Sequence, residues 1–135
     1  MSSVQPAGRT VLVVDDEEVV RLLLTRALSE AGYRVVQAIN GTDAVNMLER
    51  EPEGVDLVVC DLVMPGMNGR DLARWVQAHR PELPVLFISG YPVAYLEAHH
   101  LHDPGIPLLR KPFLPSRLLE TVEETLATVG RGGGS

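Results

Sequence analysis

Short, unbroken runs of apolar residues alternate along this chain with longer stretches in which apolar positions return every three or four residues. Val11 to Val14 (VLVV) is a continuous β-branched run, the pattern of a strand buried on both faces. After DDEE, apolar residues fall at Val20, Leu23, Leu24, Ala27, Leu28 and Ala31. That spacing predicts a helix with one buried stripe, and Gly32 is a natural C-terminal stop. Arg34 to Ala38 (RVVQA) predicts a second strand and Asn40-Gly41 a turn. A helix from Thr42 to Arg50 carries Ala44, Val45, Met47 and Leu48 inward and must end before Pro52.

The alternation continues through the second half. Val55 to Cys60 (VDLVVC) predicts a third strand, followed by the loop DLVMPGMNG. Asn68 caps the next helix, which presents Leu72, Trp75, Val76 and His79 on one side and stops at Arg80-Pro81. Val85 to Ile88 (VLFI) predicts a fourth strand. Pro92 to Leu101 is a weaker helical pattern with Val93, Leu96, His100 and Leu101 as its inner face. Ile106 to Leu109 predicts a fifth strand, and a last helix opens near Pro115 and runs through Leu118, Leu119, Val122 and Leu126. Residues 1–8 are expected to be a flexible N-terminus, 9–129 one domain, and 130–135 (GRGGGS) a flexible tail.

Five short strands, each followed by a helix, predict an α/β fold with a doubly wound parallel sheet and helices on both faces. Right-handed crossovers leave few topologies, and the flavodoxin-like strand order 2-1-3-4-5 fits five strands. Composition agrees: 135 residues, 45% hydrophobic and 22% charged, suit one globular domain. No apolar run reaches the ~20 residues of a membrane span, and the start MSSVQPAGR has no apolar signal-like stretch. Cys60 is the only cysteine, which leaves neither a disulfide nor a cysteine metal cluster and fits a reduced cytoplasm. A net charge of −6 without a basic stripe argues against nucleic acid as a partner.

In such a sheet, ligands bind beyond the carboxyl ends of the strands, where the strand order reverses. Asp15 and Asp16 follow the first strand and Asp61 the third, and these are neighbours across that point. Ser89 follows the fourth strand and Lys111 the fifth, so three carboxylates, a hydroxyl and an ammonium are predicted to converge. Clustered carboxylates repel one another unless a cation neutralises them. Magnesium suits that role, because it takes one or two carboxylates, keeps waters and accepts phosphate oxygens. A carboxylate beside it is a nucleophile towards phosphorus, with Lys111 and Ser89 placed to offset phosphoryl charge.

Simpler readings cover the remaining polar residues. Glu17 and Glu18 read as N-terminal helix compensation. His99, His100 and His102 have no carboxylate placed to orient them as metal ligands. Trp75 and the methionines read as packing residues, and Cys60 as a small buried hydrophobe.

The runs VLVVDDEE, DLVMPGMNG, ISGYP and RKPF, in that order at successive strand ends, resemble the response-regulator receiver domains of two-component signalling (CheY-like) over nearly the whole chain. The resemblance implies that Asp61 is the phosphoacceptor, with Asp15, Asp16 and the backbone carbonyl of Val63 as further magnesium ligands. It implies Ser89 as the switch hydroxyl, Lys111 as the phosphoryl-pairing lysine, and a cis peptide at Lys111-Pro112. The implied function is a phosphorelay step from a histidine kinase or histidine phosphotransfer protein, in the cytoplasm, without turnover as an enzyme. One position departs from the family: Leu108 stands where a Tyr or Phe usually reports activation, which shifts attention to Tyr91. ISGYP and RKPF are similar to receivers of hybrid histidine kinases. The Gly-rich end is expected to leave no room for a DNA-binding effector, so that output runs through protein contact or onward loss of phosphate. The competing enzyme reading is an aspartate-nucleophile phosphatase of the haloacid-dehalogenase type. Those resemble D-x-D on the first strand, whereas here Asp15 and Asp16 are adjacent. A flavodoxin or dinucleotide site is disfavoured by DDEE in place of a glycine-rich phosphate cradle.

Overall fold

A computed structural model describes residues 8–51 and 54–134, with side chains described as far as residue 128. The expected flexible residues 1–7 and the helix-ending Pro52 lie outside the described residues. Five strands form one parallel sheet in the order β2-β1-β3-β4-β5. They are β1 (Thr10–Val14), β2 (Arg34–Ala38), β3 (Leu57–Asp61), β4 (Val85–Ser89) and β5 (Leu108–Arg110). The helices are α1 (Glu18–Glu30), α2 (Gly41–Arg50), α3 (Gly69–His79), α4 (Val93–Ala98) and α5 (Pro115–Gly134).

Strand alternation divides the core in two. Leu12, Val14, Val58, Cys60 and Phe87 point to one face and pack with α2, α3 and Leu96 of α4. Val11, Val13, Val59, Leu86 and Ile88 point to the other and pack with α1 and α5. Both faces of the central strands are therefore dry, which is why those strands read as unbroken apolar runs. At the edge, β2 buries only Ala38 fully, consistent with its more polar sequence.

The helix ends follow from single residues. Asn68 accepts from the Asp71 amide while Asp71 reaches back to the Asn68 amide, a reciprocal cap that starts α3. Asn40 does the same one-sidedly for α2. Gly32, at φ 105°, closes α1: its amide donates to Ser29 and that of Tyr33 to Leu28. This is the paired-hydrogen-bond ending that calls for a left-handed residue.

Several expectations need correction. Leu23 was expected inward but is 64% exposed, because the stripe is narrower than its spacing suggested and only Leu24 and Leu28 are fully buried. His79 is exposed, lying flat on Trp75 at 4.3 Å with its Nδ1 against the Trp75 carbonyl. Strand β3 starts at Leu57, since the amide of Asp56 is taken by Thr10 and its carboxylate by the Thr10 amide. β5 starts two residues later and ends one later than expected, at Leu108–Arg110. Helix α4 spans six residues instead of Pro92–Leu101, and His100 stands outside it, exposed. Helix α5 continues through Gly134, past the expected boundary at residue 129, since extending a formed helix costs far less than starting one.

Candidate functional site

The strand register assembles the site. Val14 pairs with Cys60, so the next residues, Asp15 and Asp61, emerge side by side at the carboxyl edge. Asp61 is opposite Ile88, and Ser89 is opposite Arg110, which carries Ser89 and Lys111 to the same rim. The Lys111 amide donates to the Ser89 carbonyl at 2.8 Å, tying these two strand ends together. The Lys111-Pro112 peptide bond is cis.

Carboxylate oxygens of Asp15, Asp16 and Asp61 all lie within 4.8 Å of one another. Asp15 and Asp61 are buried, whereas Asp16 faces solvent. The Nζ of Lys111 donates to Asp61 Oδ2 at 3.3 Å and stands 3.9 Å from Asp15 Oδ2. Asp61 Oδ1 accepts from the Val63 amide, and Asp15 Oδ1 from the Glu17 amide. The second Asp15 oxygen, Oδ2, is buried and accepts no hydrogen bond.

Burial is the main reason the Asp15 carboxyl is pushed up to about 6, aided by the Asp61 charge and opposed by the Glu17 amide and Lys111. Burial and the same two carboxylates push the Cys60 thiol well up, which keeps it protonated and inert, as expected of a packed hydrophobe. An orphaned buried carboxylate oxygen facing two more carboxylates is a fit for a hard divalent cation, which takes oxygen ligands. Among the described residues this is the one cluster of metal-ligating type, and no histidine belongs to it. Glu17 is the N-cap of α1 and makes no side-chain cap bond, while Glu18 sits in the first turn, so both carboxylates stand at the helix N-terminus as expected of compensating charges.

An open cleft of about 650 Å³ covers the cluster, lined by Asp16, Asp61, Val63, Met64, Tyr91 and Lys111 among others. Ser89 is fully buried, and its Oγ accepts from the Tyr91 amide at 3.0 Å. Leu108 is half-buried against the face that carries Phe87 and Leu96. Sequence reasoning missed Gly69: a Cβ there would stand 2.7 Å from the Asp61 carbonyl oxygen and 2.8 Å from Leu62 Cα. Its only sequence signal is Asn68-Gly69 at a helix start.

A parallel five-stranded sheet with this acidic edge defines a signalling module of the two-component class. The chain belongs to the response regulator receiver domain family, which residues 11–123 match. It is 38% identical over 87% of its length to Sensor kinase CckA of Brucella abortus, of which it spans 12%. It is 33% identical, over 87% of its length and 97% of the relative's, to the Response regulator receiver protein CpdR of the same organism. The crystal structure of a response regulator receiver protein from Sinorhizobium medicae superposes with a TM-score of 0.79 at 28% identity, covering 90% of this chain and 97% of that one. The family and the strand order 2-1-3-4-5 leave the haloacid-dehalogenase reading without support.

Proposed function

We propose that Asp61 is the phosphoacceptor of a phosphorelay step in the cytoplasm. The donor is a phosphohistidine on a histidine kinase or histidine phosphotransfer protein. The reading rests on one observation: a buried aspartate at the switch point, held by Lys111 at 3.3 Å and clustered with two more carboxylates, one with an orphaned oxygen. An Asp61 oxygen attacks phosphorus, the phosphorus–nitrogen bond of the donor breaks, and its electron pair leaves with the imidazole. The product is an acyl phosphate.

The chain's own residues do the orienting. The Val63 amide fixes one Asp61 oxygen, and Lys111 fixes the other and stands ready for a phosphoryl oxygen. Ser89 supplies the hydroxyl that reports the phosphoryl group, with Tyr91 and Leu108 behind it. Asp15, Asp16, Asp61 and the Val63 carbonyl would hold magnesium, which would supply charge neutralisation for the carboxylates and the incoming oxygens. The domain acts as a switched interaction module and not as a turnover enzyme.

Incubation with magnesium and acetyl phosphate should add one phosphoryl group by intact mass. Asp61→Asn should remove it, because an amide forms no acyl phosphate. Undiminished labelling of that variant would overturn the assignment.

A further inference from the structure

Three aromatic rings stand stacked along α4, starting at the acidic cleft. Tyr91, which lines the cleft, has its ring centroid 4.5 Å from that of Tyr95, with the planes at 20°. Tyr95 in turn lies 3.9 Å from His99, at 26°. Tyr95 and His99 stand four residues apart, about one helical turn, while Tyr91 stands just ahead of the helix. His99 closes the ladder with its Nδ1 2.9 Å from the Tyr95 carbonyl.

The helix that bears these rings has few other anchors. It is six residues long, fully buries only Leu96, and begins at Pro92 without a side-chain cap. It ends with the paired bonds of a left-handed cap: His100 donates to Glu97 and Leu101 to Leu96. The left-handed position is filled by His100 at φ 57°, where a side chain is strained and glycine is the usual choice. Arg70, on α3, donates from Nη1 to the His100 carbonyl at 2.6 Å and so pins this ending from outside. A short, strained helix is thus held by Leu96, by Tyr95 and Leu101 half-buried against the same core, by a ring stack and by an arginine latch.

We propose that the Tyr91–Tyr95–His99 stack, with the Arg70 latch, locks α4 in its resting position and is released when Tyr91 is drawn inward. The proposal rests on the phosphoacceptor reading of Asp61. The link is the Tyr91 amide, bonded to Ser89 Oγ at 3.0 Å. When the Ser89 side chain turns about χ1 to bring its hydroxyl to a phosphoryl oxygen, Oγ itself moves, the Tyr91 amide bonded to it follows, and the ring slides off Tyr95. The stack loses its first contact, and the strain at His100 favours loosening of the whole segment. Tyr95 and His99 are positioning residues in this device, and neither touches the reacting atoms.

Hydrogen exchange of the α4 segment on the full chain tests it, with and without magnesium and fluoroberyllate, a phosphoryl mimic. In the wild type, the mimic should speed exchange in α4 about fivefold, the lower end of ordinary couplings between sites. Tyr95→Leu should exchange fast already at rest and show no further response. By reciprocity it should also bind the mimic about fivefold more tightly. Tyr95→Phe keeps the ring and should restore wild-type behaviour. Arg70→Met should loosen α4 in the same direction. The proposal is overturned if Tyr95→Leu protects α4 and responds as the wild type does. It is equally overturned if Tyr95→Phe behaves like Tyr95→Leu. Wild-type labelling at Asp61 by acetyl phosphate separates the two levels: without it the phosphoacceptor reading fails, whereas labelling with an unresponsive α4 sinks only the lock.

Discussion

Replacing Asp15 with asparagine should make this protein more stable at neutral pH in the absence of divalent cations. Its carboxyl is fully buried and raised from 3.8 to about 6, with desolvation as the largest cause. Ionising it in the folded state therefore costs free energy that the unfolded chain does not incur. A shift of about two units at about 1.4 kcal/mol each gives a penalty of about 3 kcal/mol once the pH is well above 6. Because this is a raised acid, the folded protein holds more protons than the unfolded one between pH 3.8 and about 6. Stability accordingly falls as pH rises through that window. Roughly half of the penalty is already present at pH 5, so moving from pH 7.5 to 5 should regain about 1 kcal/mol.

An amide escapes the penalty. Its oxygen can keep the Glu17 amide bond, and its N–H₂ group faces the Asp61 carboxylate, which now acts on Asp15 as a repelling neighbour. Urea unfolding at pH 5 and 7.5, without divalent cations, measures the effect. Asp15→Asn should raise the midpoint at pH 7.5 by about 1 M or more, given a slope of about 1–3 kcal/mol per molar urea. The wild-type loss of stability between pH 5 and 7.5 should be absent from the variant, and comparing the two cancels every titrating group they share. Magnesium at pH 7.5 should stabilise the wild type by mass action and the variant far less. The reasoning is refuted if Asp15→Asn is less stable than the wild type at pH 7.5. That outcome would mean that Lys111, at 3.9 Å, compensates the buried charge in full.

The remaining predictions use the same protein and simple assays. Asp16→Ala, on the solvent side of the cluster, should leave the stability of the metal-free protein nearly unchanged while removing most of the magnesium-induced rise in melting temperature. Gly69→Ala should cost about 1–3 kcal/mol in urea unfolding and slow labelling of Asp61, because the new methyl meets backbone atoms that cannot yield. Gly41→Ala should also lower the urea midpoint, because the new methyl meets Met67 at Cγ (2.7 Å) and at Cβ (2.9 Å), and Cβ cannot yield without the backbone. His100→Gly should stabilise the resting protein by about 1 kcal/mol, by relieving the left-handed residue at φ 57°; an unchanged urea midpoint would show that the cap is unstrained.

The sheet was legible because its strands are dry on both faces. VLVV, LVVC and VLFI have no other environment in which to sit, and with three such runs and helical spacing between them the topology rules leave few choices. The acidic edge was legible for the same reason, since Asp15, Asp61 and Ser89 are simply the polar residues at which those runs end. Local detail was less so. The α4 ending depends on His100 taking a conformation that sequence associates with glycine, so the pattern overran by three residues. Leu23 sits at a helical spacing that fits the stripe and is nonetheless solvent-facing, because periodicity locates a face but not its width. Gly69 and the Tyr91–Tyr95–His99 ladder are facts about close approach between segments, which one sequence does not state.

On the proposed reading of Asp61 as phosphoacceptor, the charge balance of the cleft says which groups would respond. Three ionised carboxylates against the one ammonium of Lys111 leave −2, the charge a single divalent cation cancels. Converting Asp61 to an acyl phosphate removes its own −1 and adds about −1.5 to −2 on the phosphoryl oxygens. The balanced site then carries a surplus of about half to one negative charge, spread over oxygens lying further from the sheet than the original carboxylate. Lys111 is already committed, reaching Asp61 at 3.3 Å, so it can shift its partner but adds no new charge. A further side-chain donor at the rim is the Ser89 hydroxyl, now buried and accepting from Tyr91. Donating to the phosphoryl oxygens offsets part of that surplus, and where the side chain must turn about χ1 to reach them, Oγ carries the Tyr91 amide bonded to it along.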